Sequence, residues 1–191
     1  KRGGNVFWVG HPMIDLTKKL PLKKDARTVL NLRPNQNIIL LMPASRPQEL
    51  RYILPTFMRA AKKLQQKYPS LVVYIPSCRD AFDEIFKKAF RKYQVKGLVI
   101  SQKDSAKLKP YIYSLTKIAL CKSGTVNMEL ALYGIPQIVG YRVSRVTAFI
   151  AKKILNFKVK FISPVNLLLN KFIIPENKNK KRLCFFKKRI R

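Results

Sequence analysis

Three small residues, Ser123, Gly124 and Thr125, stand between an apolar run that ends at Cys121 and a segment with helical spacing. Serine favours the N-cap position, glycine lets a ligand approach the backbone, and the first turn of a helix leaves N–H groups unpaired. The helix dipole and those donors favour negative charge, so the pattern predicts an anion site. Glu129 lies about one turn beyond Thr125, where a carboxylate can accept hydrogen bonds from a ribose diol. A plain helix cap explains the same pattern about equally well.

A second polar loop, residues 43–49, also lies between an apolar run and a segment with helical spacing. Ser45 is predicted to cap this helix, and Glu49 is predicted to reach back toward its start. Arg46 offers a forked, permanently charged donor that suits phosphate oxygens. An arginine exposed to solvent at the start of a helix is the alternative interpretation.

Strands and helices must alternate if these two loops are to lie together. Apolar runs predict five strands, over residues 37–42, 71–75, 97–101, 117–121 and 137–141. Helical spacing predicts helices over about residues 50–64, 80–93, 126–133 and 145–157, with a short helical piece at 111–115. This alternation predicts an α/β fold, a Rossmann-like parallel sheet flanked by helices. Ligands of such sheets bind beyond the carboxyl ends of the strands, where the loops 43–47, 121–125 and 141–145 follow.

The charge of the chain narrows the classes of partner. Forty Lys and Arg against nine Asp and Glu give a formal charge of +31, yet 47% of the residues are apolar, which excludes a disordered polyelectrolyte. Such a charge attracts nucleic acid, anionic lipid or nucleotide diphosphates, and does not choose among them. No helix-turn-helix, RRM or KH signature is present, so a basic nucleic-acid-binding module remains only an alternative and no specific nucleic acid is expected.

The cysteines and the apolar runs exclude two further features. Cys78, Cys121 and Cys184 are widely scattered and form no CxxC pair, so they are predicted to be reduced, mostly buried thiols in a reducing compartment, without a metal site. No apolar stretch approaches the roughly 18 to 20 residues that a membrane span needs.

Taken together, the motifs resemble those of lipid-A-disaccharide synthases. Five segments carry the resemblance in the family's order: Gly10-His11-Pro12 with Asp15; residues 42–49; Ser123-Gly124-Thr125 with Glu129, Pro136 and Tyr141-Arg142; Pro164-Val165-Asn166-Leu167; and Pro175-Glu176. They correspond to the family's "GHP..D", "LPGSR…E", "SGT…LE…P…Y", "PN" and "PE" elements and cover nearly the whole chain. The residues around Asn127 and at 143–145 are similar to the cyanobacterial and plant branch.

The resemblance implies the C-terminal lobe of a GT-B glycosyltransferase that holds UDP-2,3-diacylglucosamine. The sugar is transferred to 2,3-diacylglucosamine 1-phosphate with inversion in lipid A biosynthesis. The implied diphosphate ligands are Ser45, Arg46, Ser123, Gly124 and Thr125, the implied ribose ligand is Glu129, and lesser donor-pocket candidates are Asn127, Arg142, Asn166 and Glu176. No cofactor and no metal are implied, because fixed positive groups neutralise the leaving UDP.

The sequence pattern, the charge run at the C-terminus and the resemblance together predict a division of the chain. Residues 1–36 are expected to lead into the domain and contain a lobe junction, 37–176 to form the UDP-sugar-binding domain, and 177–191 to be a disordered basic tail. The family's N-terminal lobe, with the acceptor site and the general base, is expected to lie outside this chain, which alone is expected to bind UDP without turnover. His11 is expected to be structural, with a catalytic or hinge role at the junction as the alternative.

Contact with a membrane is a further expectation. The apolar face of the helix predicted over residues 145–157 either packs on the domain or rests on anionic lipid. The basic tail is either solvated or an electrostatic tether to lipid or RNA. The expected location is the cytoplasmic face of a membrane, with an anionic surface as partner, or an organelle if the source is a plant. An inactive truncated relic is the alternative, since the family's leucine-rich helix is absent after Glu176.

Overall fold

The structure is a computed structural model that describes residue 7 and residues 12–15, 19–43, 45–141 and 161–177. The helices are α1 Pro12–Asp15, α2 Lys23–Val29, α3 Pro47–Lys67, α4 Asp83–Tyr93, α5 Gln102–Leu115, α6 Thr125–Leu132 and α7 Pro164–Leu169, and a 3₁₀ turn, Asp80–Phe82, precedes α4. The strands are β1 Asn37–Met42, β2 Leu71–Pro76, β3 Gly97–Ile100, β4 Thr116–Lys122, β5 Gln137–Gly140 and β6 Glu176–Asn177. His11, Arg142, the helix predicted over 145–157 and residues 178–191 of the tail lie outside the described residues.

All six strands belong to one sheet in the order β3-β2-β1-β4-β5-β6, and every pair is parallel. The predicted α/β fold with a parallel sheet is confirmed, and each of the five predicted strands is found within one residue of its expected ends. The sixth strand, β6, is not predicted, because two residues beside β5 are too few to show a period.

The central strands are apolar at nearly every position because helices cover both faces of the sheet. Ile39 and Leu41 of β1 pack with residues of α3 and α4 in one core cluster. Ile38 and Leu40 alternate with them and pack with residues of α2, α5 and α6 in the other cluster. Among the helices formed by described residues, none is long and apolar enough to cross a membrane.

Among the described helices, α1, α2 and α7 are not predicted by the sequence patterns, and α5 is longer than predicted. The short helical piece predicted at 111–115 is the end of the fourteen-residue helix α5. Ser101 starts this helix, because its Oγ accepts a hydrogen bond from the Asp104 N–H at 3.2 Å. Its first turns carry polar residues and therefore show no apolar period. Helix α2 lies in the segment expected to lead into the domain, yet its Ala26 is fully buried in the core.

A close approach of two strands requires glycine at position 97. A Cβ there would lie 2.3 Å from the Val73 carbonyl oxygen, a backbone atom that can move only if β2 moves. We predict that Gly97→Ala lowers the free energy of unfolding by about 1–3 kcal/mol, the usual cost of overpacking, measured by urea denaturation. Gly124→Ala is the matched control, because a Cβ at Gly124 meets nothing within 4 Å. Equal stability of the two variants would contradict the prediction.

Candidate functional site

The candidate site lies where the strand order reverses. Strands β1 and β4 are neighbours, but the chain continues from β1 toward β2 and β3, and from β4 toward β5 and β6. The loops after β1 and β4 therefore diverge and leave a crevice at the carboxyl edge of the sheet, which is where such sheets bind ligands. Met42 and Cys121 are partners in register, so the two loops begin at the same level. The fold thus brings together the two loops that the sequence indicates.

An ion pair ties the two loops to each other. The Lys122 Nζ donates a hydrogen bond to the Glu49 Oε1, and each side chain is only about one-fifth exposed, at 23% and 22%. Among the residues that the structure describes, the buried Glu49 Oε2 has no hydrogen-bond partner. The prediction that Glu49 reaches back to the start of its own helix is wrong, because the lysine that ends β4 takes its carboxylate. Sequence reasoning missed Lys122, although its place directly before Ser123 was a signal.

The start of α3 also differs from the prediction. Arg46, not Ser45, is the N-cap residue, and no side chain caps it. The next residue is Pro47, which has no N–H group, so the first turn has one unpaired donor fewer. Ser45 and Arg46 are both exposed beside the crevice, so both side chains are accessible to a ligand.

The start of α6 is held by an asparagine from inside the helix. The predicted Ser123 cap is wrong: Gly124 is the N-cap residue, and its N–H donates to the Asn127 Oδ1 at 2.9 Å. Ser123 donates its hydroxyl to the Ile162 carbonyl oxygen at 2.6 Å, so it is tied to a segment far along the chain. Within the described part of the chain, the backbone N–H groups of Thr125 and Val126 have no hydrogen-bond acceptor.

Asn127 belongs to a fully buried polar network. Its Nδ2 lies 3.0 Å from the Cys121 Sγ and 3.1 Å from the Gln137 Oε1, and its carbonyl oxygen accepts from the Gln137 Nε2 at 2.9 Å. The side chain is 0% exposed, so the prediction of Asn127 as a donor-pocket ligand is corrected: it positions Gly124 and the loop. Burial raises the pKa of the Cys121 thiol to about 12, although the hydrogen bond from Asn127 opposes that shift.

Asn166 and Glu176 build a bracket next to the Ser123 loop. The Glu176 carboxylate accepts hydrogen bonds from the Ile162 and Ser163 N–H groups, at 2.8 and 2.7 Å, and from the Asn166 Nδ2 at 2.8 Å. Asn166 is also 0% exposed, and its Oδ1 accepts from the backbone N–H groups of residues 173 and 174. The bracket holds the Ile162 carbonyl against Ser123. The donor-pocket prediction for Asn166 is corrected to a positioning role, and the half-buried Glu176 shares that role.

Glu129 lies on α6 beside a lysine of α5. The Lys109 Nζ is 2.6 Å from the Glu129 Oε1, and the side chains are 38% and 22% exposed. The pKa of Tyr113 is raised by burial and then by the charge of Glu129, so this carboxylate also lies close to the Tyr113 hydroxyl. Lys109, which the sequence analysis did not single out, holds one oxygen of the Glu129 carboxylate.

The arrangement suits an anion with a sugar attached. Free N–H groups at the start of α6, the Arg46 guanidinium and the Lys122 ammonium supply positive charge, while Glu129 supplies an acceptor. Among the described residues, no group of three or more His, Cys, Asp and Glu side chains is placed to hold a metal ion.

A separate cavity of about 440 Å³ lies at the opposite, amino edge of the sheet. Arg33, Gln36, Ser70 and Lys96 are among its lining residues, and each precedes a strand or lies in a turn before one. Parallel sheets place their ligands at the other edge, so this cavity is not our candidate site.

Comparison with known proteins gives a consistent result. A family model described as lipid-A-disaccharide synthetase matches residues 1–184. A lipid-A-disaccharide synthase of Prochlorococcus marinus is 49% identical over 176 residues, covering 92% of this chain and 45% of that protein. The synthase of Gloeothece citriformis is 38% identical over 176 residues, covering 92% of this chain and 44% of that protein. These cyanobacterial sources agree with the predicted branch.

The chain therefore spans just under half the length of the curated relatives it matches. Among solved structures, it is similar to the C-terminal CMP-Kdo binding domain of WaaA from Acinetobacter baumannii, with a TM-score of 0.48 and 11% identity over 88% of this chain and 83% of that one.

We predict that Asn127→Ala lowers the free energy of unfolding by about 1–3 kcal/mol, because it removes the acceptor of the Gly124 N–H and leaves the buried Gln137 Oε1 with only the weak donor Cys121 Sγ at 3.4 Å. Urea denaturation followed by circular dichroism measures the change. Asn35→Ala is the control, since Asn35 is exposed and this substitution should shift stability by no more than about 0.5 kcal/mol. An unchanged midpoint for Asn127→Ala would contradict the buried network.

We also predict that the two described cysteines differ in reactivity. Cys78 is exposed, whereas Cys121 is buried with its pKa raised to about 12, so Cys121 stays protonated and inaccessible at mildly alkaline pH. In a Cys184→Ser chain, Ellman's reagent should modify one thiol of the folded protein and a second only after denaturation. Rapid modification of both thiols in the folded protein would refute the placement of Cys121.

Proposed function

The chain belongs to the lipid-A-disaccharide synthetase family, and from that premise we propose that it is the UDP-sugar-binding part of a glycosyltransferase. In this proposal it corresponds to the C-terminal lobe of a GT-B fold, and its ligand is UDP-2,3-diacylglucosamine. Transfer of the sugar to 2,3-diacylglucosamine 1-phosphate is proposed only for the whole protein, because the chain covers just 45% of its Prochlorococcus relative.

The observation that carries the proposal is the group of donors at the switch point. Among the described residues, the N–H groups of Thr125 and Val126 have no acceptor, and a Cβ at Gly124 would meet nothing within 4 Å, so these residues leave open space beside the donors. Arg46 is exposed on the facing loop, and the Lys122 ammonium lies between the two loops. We assign the diphosphate to these groups, with Ser45 and Ser123 at the margins.

The ribose is assigned to Glu129. Its Oε1 is held by Lys109, so the carboxylate is oriented before the ligand arrives, and we assign it as the acceptor of hydrogen bonds from the diol. An ordered carboxylate loses less conformational freedom on binding than a free one, which favours affinity. Arg142 follows the exposed Tyr141 and lies outside the described residues, so its assignment as a donor ligand stays a proposal.

The reaction proposed for the whole protein needs stabilisation of a leaving group. An acceptor hydroxyl attacks the anomeric carbon from the face opposite the diphosphate, the bond from that carbon to the UDP oxygen breaks, and a base takes the hydroxyl proton. Negative charge develops on UDP, and the free N–H groups of α6 with Arg46 neutralise it. The base belongs to the part of the relatives that this chain does not span. His11 keeps only a proposed place at the junction.

We further propose that the protein works at the cytoplasmic face of a membrane as a peripheral protein. Both of its proposed substrates carry acyl chains and therefore reside in a bilayer. The formal charge of +31 favours an anionic lipid surface.

Calorimetric titration of the chain with UDP, ADP and uridine at moderate salt tests the donor site. We expect saturable binding of UDP that ADP does not match. Arg46→Ala should weaken UDP by about tenfold or more and leave uridine unchanged, because it removes a charged hydrogen bond to phosphate. Glu129→Ala should weaken both UDP and uridine.

Arg59→Ala, at an exposed arginine within α3, is the control for charge alone and should bind UDP as the unmodified chain does. If the folded chain shows no preference for uridine over adenosine nucleotides, the donor-site proposal is wrong. Binding that collapses with salt in all variants would instead indicate a generic polyanion binder.

A further inference from the structure

Helix α7 and the turn after it present large apolar side chains to solvent. Five of them, each between 53% and 71% exposed, lie within seven consecutive residues: Leu167, Leu168, Leu169, Phe172 and Ile173. We call this set the α7 patch. Scattered exposed apolar residues are normal on a protein surface, but a contiguous group of this size marks a surface that contacts something apolar.

The backbone around the patch fixes these side chains outward. Val165 and Asn166 form the buried side of α7, and Asn170 ends the helix in the left-handed conformation with φ 46°. The Asn166 Oδ1 then accepts hydrogen bonds from the N–H groups of Ile173 and Ile174, which anchors the returning turn. The patch therefore does not turn inward without breaking a buried network.

Basic residues within the patch and on both sides of it along the sequence indicate the partner that it fits. Lys171 is exposed within the patch, and residues 161–175 contain no acidic residue. In the sequence, residues 142–160 on one side contribute six basic residues and no acidic one, and residues 178–191 on the other side contribute eight and none. Apolar side chains among basic ones are typical of surfaces that rest on anionic lipid.

We propose that the α7 patch inserts its leucines and Phe172 into the headgroup boundary of an anionic phospholipid membrane, with Lys171 at the lipid phosphates. A second copy of the chain is a poorer occupant, since it would bring two charges of +31 together. Nucleic acid is also poorer, because aliphatic side chains offer bases little to stack on.

The position of the patch gives the membrane contact a role in substrate binding, and this role rests on the proposed function. The Ser123 hydroxyl bonds the Ile162 carbonyl, and Glu176 bonds the Ile162 and Ser163 N–H groups directly before α7. Helix α7 is therefore held beside the proposed diphosphate cradle. A membrane at the patch would place the cradle next to the lipid surface that holds acylated substrates.

Sedimentation with lipid vesicles tests the proposal on the whole 191-residue chain. The vesicles contain equal parts phosphatidylglycerol and phosphatidylcholine, or phosphatidylcholine alone. We expect the chain to bind the anionic vesicles more tightly, and Leu168→Gln with Leu169→Gln to lower the partition coefficient by at least about tenfold. The loss should persist at raised salt, where binding by charge alone is screened.

The chain offers a closely matched control. Leu22 and Leu98 are 73% and 52% exposed, against 71% and 53% for Leu168 and Leu169, and neither belongs to the patch. Leu22→Gln with Leu98→Gln should leave vesicle binding within about twofold of the unmodified chain. Equal binding by the two double variants would overturn the proposal, because charge alone would then account for the affinity.

Sedimentation velocity without vesicles distinguishes membrane contact from self-association. A dimer that the patch variant loses while vesicle binding is unchanged would assign the patch to a second copy and overturn the membrane proposal. UDP titration of the same variants should give unchanged affinity, because the patch side chains lie outside the cradle. Loss of vesicle binding with UDP binding retained supports the patch, whereas absent UDP binding in every variant refutes the donor site alone.

Discussion

The hydrogen bond from the Gly124 N–H to the buried Asn127 Oδ1 is the interaction on which the candidate site depends. Because Asn127 lies inside α6, it satisfies the donor nearest the start of the helix and occupies no space in front of it. No described residue accepts from the N–H groups of Thr125 and Val126, and none comes within 4 Å of the place where a Cβ of Gly124 would lie. Gln137 of β5 completes the network, so the helix start is positioned by the sheet itself.

Two contacts between residues far apart in the sequence connect the start of α6 to the rest of the crevice. The Lys122–Glu49 pair joins the loops after β4 and β1, and the Ser123–Ile162 hydrogen bond joins the first of these to the bracket of Asn166 and Glu176. A bound diphosphate would compete with Glu49 for the Lys122 ammonium. The same bracket presents the apolar side chains of α7, so the proposed donor site and the proposed lipid surface depend on one set of buried polar contacts.

The sequence predicted well those features that depend on a repeated local pattern. Strand β1 shows as an apolar run because both of its faces are covered, and the two site loops show through residue types that follow such runs. The predicted cap at Ser45 failed because α3 begins one residue later, with Arg46 as the N-cap residue before Pro47. The predicted cap at Ser123 failed because its hydroxyl bonds Ile162, a residue 39 positions away that local sequence does not reveal. The motifs imply that Asn127 and Asn166 belong to the donor pocket. A motif shows which residues matter, but it does not show whether their side chains face the ligand or the core.

The most direct test of the donor site is a nuclear magnetic resonance titration of the ¹⁵N-labelled chain with UDP and with uridine. The account predicts that UDP shifts the backbone amide signals of Thr125 and Val126 most strongly, and that uridine, which lacks the diphosphate, leaves them nearly unchanged. Shifts centred instead on Ser70 and Lys96, at the opposite edge of the sheet, would contradict it.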